Sequence, residues 1–418
     1  MKRSSIHKAT IHLLGLVIVF SVLDVVMITD TVSLSKGLMP AVFVGLSIQL
    51  ILRIQENNSL EFQIPATTWK TFAVMILFLS YISTRALVIG DGLNILIYMS
   101  YFFLPIFAMT IFIVPRSEHE INQLLWYLLG ATAIAALLTL LDVLQGAPRP
   151  YPLGLNPNSL GLTFVAGLAV VYMLYQHKTL NRIATLCIGG ILLVALVTTE
   201  SREAYISLIV GVSVVSVWFT AKQGIKSAAL GLLLVLSFAG VALLAVPDII
   251  MPYIERAFSV FGFFVNPSVV PKKNIHSLQA RFQIYQFGLM LIQEKPLLGH
   301  GFGTFHALTA ESELFSDSVG AHSTYLFIAT QLGLVGLALF LLFVGGVFAT
   351  LRKLFFVSLK LDSRTQSRIV CLIAAFTALS VNGFAAGVIR WKIYWIIIGI
   401  AFAYDGILTK KFRTSLSQ

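Results

Sequence analysis

Apolar runs of about eighteen residues or more recur along almost the whole of this 418-residue sequence, each long enough to cross a hydrocarbon core as a helix. In lipid a backbone must satisfy its own hydrogen bonds, which leaves such runs only helices or closed barrels. The alternation of barrel strands is absent, so helices remain. The runs predict about twelve spans, near 9–28, 37–53, 69–89, 93–114, 121–144, 157–175, 181–199, 203–220, 226–246, 321–347, 366–388 and 391–408. The expected fold class is an all-α polytopic membrane protein, a single membrane domain over 1–418. One large loop, 247–320, separates the ninth and tenth spans. Composition agrees, with 57% apolar and only 11% charged residues, where a soluble domain has about a quarter charged. The net charge of +11 would suggest nucleic acid in a soluble chain. Here the basic residues sit in short loops, so membrane lipids are the expected surroundings and no nucleic-acid partner is expected. Cys187 and Cys371 both fall in predicted spans, which argues against a disulfide or a cysteine zinc site. The opening Met-Lys-Arg leads into an apolar run from about Ile11 with no small-residue cleavage signal, and reads as an uncleaved first helix.

Orientation follows from lysine and arginine. With a cytoplasmic N-terminus, inner segments carry 18 of the 29 basic residues, short outer segments six, and the long loop five. Long loops weigh little in this bias, so the assignment rests on a threefold difference. Both termini are expected in the cytoplasm. Three stretches then face outward. They are the proline-rich 145–158, the turn Thr198-Thr-Glu-Ser-Arg-Glu-Ala204, and the long loop. The loop opens with an amphipathic piece, 249–264, suited to the interface. A helix is expected from about Leu278 to Gln293 with Ser277 as its N-cap. Glu294-Lys-Pro296 ends it, and Gly299-His-Gly-Phe-Gly303 reads as a flexible turn.

Three outward residues can carry chemistry. Arg202 stands at the outer end of a span, where a guanidinium needs a partner or water. It either pairs with Glu200 or Glu203, snorkels, or clamps an anion. Arg281 falls in the first turn of the expected loop helix, where the macrodipole disfavours a cation and a bound phosphate would compensate. The alternative is an ordinary exposed arginine. His322 stands where the loop re-enters the membrane. It is either a structural hydrogen-bonder or a general base, for which its ordinary pKa near 6.5 is suited. His300, His306, Glu311, Glu313 and His322 match no metal-ligand spacing. The glycines 299, 301 and 303 follow no strand, which argues against a nucleotide loop. There is no G-x-S-x-G. Asp24 and Asp142 read as hydrated rim groups or proton relays. Asn158 reads as the cap of the sixth helix, with a glycan contact as the alternative.

The order of these features is distinctive. An outward Ser-Arg is followed by Ala-Arg-Phe-Gln-Ile-Tyr, then by Gln-Glu-Lys-Pro-Leu-Leu-Gly-His-Gly-Phe-Gly. A re-entering His-Ser-Thr-Tyr-Leu-Phe-Ile-Ala-Thr-Gln-Leu-Gly-Leu-Val-Gly completes it. Over about 195–345 this resembles the O-antigen ligase and polymerase superfamily of bacterial inner membranes, most of all the lipopolysaccharide O-antigen ligases. The resemblance implies a GT-C-like fold and a site facing the periplasm. It implies transfer of polysaccharide from undecaprenyl pyrophosphate to lipid A–core, with inversion and with neither metal nor other cofactor. By motif match it implies Arg202 and Arg281 as the pyrophosphate-binding arginines and His322 as the catalytic base. Many members have Asn after the histidine, where this chain has Ser323, which puts one secondary hydrogen bond in question. The same superfamily holds polymerases of O-antigen or exopolysaccharide and ligases that glycosylate proteins. A secondary transporter is the alternative of another class; the absence of paired halves argues against it.

Overall fold

A computed structural model describes residues 3–23, 27–29, 32–33, 64–89, 94–147, 149–223, 272–315 and 319–417. They are overwhelmingly helical. The helices are α1 (Arg3–Leu23), α2 (Ala66–Ile89), α3 (Asn94–Ile113), α4 (Glu118–Leu144), α5 (Pro157–Gln176) and α6 (Arg182–Thr198). They continue with α7 (Arg202–Gln223), α8 (Lys272–Glu294), α9 (Phe305–Ala310), α10 (Thr324–Leu359), α11 (Ser363–Asn382) and α12 (Lys392–Leu416). A minimal antiparallel ladder, β1 (Met27–Thr29) with β2 (Val32–Ser33), interrupts the all-helical expectation just where the first span was expected to end. The expected spans 37–53 and 226–246, the amphipathic piece 249–264 and Asp24 lie outside the described residues.

Among the described residues, seven helices are long and apolar enough to cross a membrane: α1, α2, α4, α5, α7, α10 and α12. Two shorter apolar stretches, Phe103–Ile113 and Arg182–Thr198, accompany them. The expected span 366–388 is represented by α11, which falls outside this set for a physical reason. It packs against α5, α7, α10 and α12 at once, so it buries Thr365, Gln366, Ser367, Ser380 and Asn382 among protein instead of lipid. Around it, α2 lies along α10, α3 along α12, and α1 along α4. Close approach needs small residues. A Cβ on Gly399 of α12 would collide with Ile111 and the Ala108 carbonyl of α3. Phe72, Phe112 and Phe402 fill the space between these helices with rings 4.9 and 5.4 Å apart.

Side-chain caps punctuate the bundle. Ser117, Asn181 and Asp362 each accept from backbone N–H groups of the helix they open. The cap of α5 is Asn156, which accepts from the Asn158 N–H at 2.8 Å. Asn158 is therefore not the cap; its side chain accepts instead from Arg149 at 2.8 Å.

One end of the bundle collects charge. Asp405 is fully buried and accepts from Lys353 and Thr68 at 2.8 and 2.7 Å. Nearby, Arg368 pairs with Glu118 at 2.7 Å and Lys411 with the same carboxylate at 2.9 Å. Arg368 also donates to His177 Nε2 at 2.8 Å, and the Tyr404 hydroxyl lies 3.0 Å from the same nitrogen. Burial and the Arg368 charge push His177 down to about 4, against a Glu118 charge that acts the other way. Buried ions persist in such a setting only when paired.

The longest helix, α10, is broken. Gly333 has φ 66° and ψ −172°, which no helix contains. The backbone groups released there are taken by the segment after α8. His300 and Gly301 donate to the carbonyls of Thr330 and Gln331, both at 2.9 Å, and Leu334 donates to Pro296 at 2.8 Å. The Gln331 side chain accepts from Gly303. Tyr81 of α2 donates to the Leu332 carbonyl at 3.0 Å. A Cβ at Gly299 would strike the backbone of residues 331–333, and one at Gly333 the backbone of Leu297 and Leu298. The glycine-rich stretch is therefore not a flexible turn. It is a backbone clasp fitted into a break in a membrane helix.

Candidate active site

At the other end of the bundle, α6 and α7 meet in a tight turn. The Thr199 and Glu200 N–H groups donate back to Leu196 and Val197, and Glu200 takes a left-handed φ of 53°. Ser201 Oγ accepts from the Ala204 N–H and donates to Glu203. The turn fits against α5 because position 161 is glycine; a Cβ there would collide with Ala204. Arg149, from the proline-rich segment, docks on the same turn, donating to the Thr199 carbonyl at 3.2 Å.

This turn buries Arg202 and Glu203 at 8% and 4% exposure. Glu203 forms an ion pair with Arg281 of α8. Its second oxygen accepts from Ser201 at 3.1 Å. The helix carrying Arg281 begins at Lys272, not near Leu278. Position 277 is thus inside the helix and not at its start, and Arg281 lies well past the first turn. The expected conflict with the α8 macrodipole is removed. Arg281 faces a carboxylate on the first turn of α7 instead, where a negative charge is favoured.

Four residues after Arg281, and so on the same face of α8, Tyr285 donates to the Phe384 and His322 carbonyls at 3.2 and 3.4 Å. His322 is held in a left-handed conformation, φ 47°. Ser323 caps α10 by accepting from the Leu326 N–H, and donates to the Gly383 carbonyl at 3.3 Å. Thr324 is fixed to Gly383 and Ala386 through its N–H and hydroxyl. These contacts dock the loop exit onto the turn after α11. The ring of His322 is accessible from outside, yet the surrounding protein desolvates it. That desolvation first, and the Arg281 charge second, hold its pKa below 6.5, with Glu203 opposing. An accessible neutral imidazole can take a proton from a ligand.

Arg281 is thus tied to the α7 turn through Glu203, and its helix to the backbone of His322 through Tyr285, while Arg202 is buried on the same turn as the chain neighbour of Glu203. His306 is also near, its ring 3.5 Å from where a Cβ on Gly320 would stand. His300 turns away, with Nε2 2.9 Å from the Leu291 carbonyl oxygen. Among the described residues no three His, Cys, Asp or Glu side chains converge on one point. Sequence reading missed Tyr285 and the Glu203–Arg281 pairing. The four-residue step from Arg281 to Tyr285 was a usable signal; the pairing across helices had none.

The fold is that of a multi-helix membrane protein, with two arginines, a carboxylate and a histidine set at one end of its bundle. Residues 187–341 match the family model described as O-Antigen ligase. The match runs from α6 past the break in α10, well under half of the chain, and includes Arg202, Arg281 and His322. It supports the O-antigen ligase and polymerase superfamily as the group this stretch is similar to. No curated protein matches the chain.

Proposed function

We propose that the protein is a glycosyltransferase acting on lipid-linked glycans, and specifically an O-antigen ligase. The donor is polysaccharide on undecaprenyl pyrophosphate and the acceptor is lipid A–core, at the periplasmic face of the bacterial inner membrane. The observation that carries this reading is the linkage of Arg281 to the Arg202–Glu203 turn and, through Tyr285, to the backbone of His322. In support, Arg202, Arg281 and His322 all lie toward the end of the bundle away from the paired-charge cluster, within the segment matching the O-antigen ligase family.

In this reading the acceptor hydroxyl gives its proton to His322 as its oxygen attacks the anomeric carbon. The bond from that carbon to the pyrophosphate oxygen breaks, and the electron pair leaves with the pyrophosphate. Arg202 and Arg281 stabilise the charge that develops there, without changing protonation. Attack without an enzyme nucleophile inverts the anomeric centre. Two lipid-anchored substrates meet in one plane, which removes much of the cost of bringing them together. The chemistry needs no metal.

A break in a membrane helix is also found in carriers, where it lines a substrate cavity. Here the freed backbone groups are closed by residues 296–301, which favours an enzyme over a transporter. The test is in vitro transfer by the purified protein, with defined lipid-linked donor and lipid A–core, with and without chelator. Transfer is expected in both conditions, and none from His322→Ala. Lengthening of lipid-linked glycan without modification of lipid A–core would make the protein a polymerase. Transfer only to a protein acceptor would make it a protein ligase.

A further inference from the structure

Glu203 is an acidic group set directly against an arginine of the anion site proposed above. Its burial is nearly complete, and both oxygens are engaged, one by Arg281 and the other by Ser201. Buried on the first turn of α7, it has the position in which a helix favours an anion. It is also placed where a phosphate would be expected to meet Arg281. By contrast the Arg281 side chain keeps 23% of its exposure, so part of the fork stays open to a ligand.

We propose that Glu203 is a built-in competitor for Arg281, which weakens the grip of the site on pyrophosphate and most of all on the spent pyrophosphate lipid. The inference rests on the pyrophosphate reading of Arg202 and Arg281. Charge decides its direction. Arg281 and, in the proposed site, Arg202 supply positive charge, and Glu203 offsets part of it. Transfer converts a pyrophosphate diester into a monoester, which is the more negative of the two. A site made only of cations would therefore hold product more tightly than donor. A fixed carboxylate repels each ligand in proportion to its charge and penalises product more. Because Glu203 is anchored by Ser201 and by the helix, its repulsion does not relax when the ligand arrives. The ion pair also keeps Arg281 aimed at α7.

The experiment uses the full chain in nanodiscs with inorganic pyrophosphate as probe, its binding measured by calorimetry and its inhibition of transfer measured in parallel. Glu203→Gln keeps the shape and a hydrogen bond to Arg281 but removes the charge. It is expected to bind pyrophosphate about tenfold tighter, to lower the donor KM by less, and to slow as product accumulates. Glu203→Asp, which draws the carboxylate back, is expected to tighten binding by a smaller factor. Unchanged or weaker binding in either variant overturns the inference, since a carboxylate that merely positions Arg281 predicts weakening. The Asp variant carries the test if the Gln variant does not fold. Arg281→Gln and Arg202→Gln separate the two levels. If both leave pyrophosphate binding as in the parent protein, the anion site itself is wrong. If they weaken it while Glu203→Gln does too, only the competitor role fails.

Discussion

Arg281 and His322 can be interrogated by changes that keep one property and remove another. Lysine at 281 keeps the charge and loses the planar fork. If the fork grips a pyrophosphate, Arg281→Lys lowers kcat/KM for transfer at least about tenfold; a parental rate would leave charge alone as the requirement. For His322 the informative variable is pH. Its pKa lies below 6.5, through desolvation and then Arg281, and in the base role proposed for it the neutral ring is the active form. Transfer is therefore expected to hold across neutral pH and to fall on an acid limb below pH 6.5. Arg281→Gln removes a charge that lowers this pKa, so residual activity should show that limb at higher pH. A profile of kcat/KM measures both. Arg202 was legible as a cation at the end of an apolar span, Arg281 by its expected place near a helix start, and His322 by its place where the loop re-enters the membrane. Glu203 was legible only as a neighbour of Arg202. Its partner was not legible, because the pair joins two helices distant in sequence; separately, reading Ser277 as a cap placed Arg281 on the wrong turn of its helix.

At the level of elements, the clasp between residues 296–301 and the break in α10 makes the sharpest claim. Gly333→Ala combines left-handed strain with a collision against the Leu297 backbone. Its expected cost is about 2–6 kcal/mol, the sum of backbone strain and overpacking. Gly345, in the same helix, has nothing within 4 Å of an added Cβ. Gly345→Ala is expected to be neutral or stabilising by up to about 1 kcal/mol. Thermal unfolding in detergent compares the two; equal effects would mean that the clasp contributes nothing. Seven of the expected spans were legible because apolar length is a local property. The clasp was not, since it joins glycines from either side of the loop. Such a pairing is fixed by tertiary contacts, and glycine in sequence signals only freedom.

On the scale of the whole molecule, the two ends have different electrostatics. The end holding Glu118, His177, Arg368 and Asp405 depends on His177 being neutral. A folded pKa of about 4 against 6.5 means that the unfolded chain binds the proton more readily. Stability from this group is complete above pH 6.5 and declines as pH falls toward about 4. Unfolding midpoints across that range should fall for the parent protein and fall less for His177→Gln; parallel curves would remove His177 as the cause. The gathering of basic residues at this end was legible from their bias among loops. The burial of Asp405 against Lys353 was not, because two helices distant in sequence supply the pair. The clasp acts on this larger scale too. It fastens the segment after α8 to α10 below His322, while Tyr285 fastens α8 itself to the turn above. The distance between the arginine and the histidine is then indexed to protein alone. A thicker or thinner bilayer can tilt the surrounding helices, yet the working end travels as one cassette, its spacing independent of the lipid that carries it.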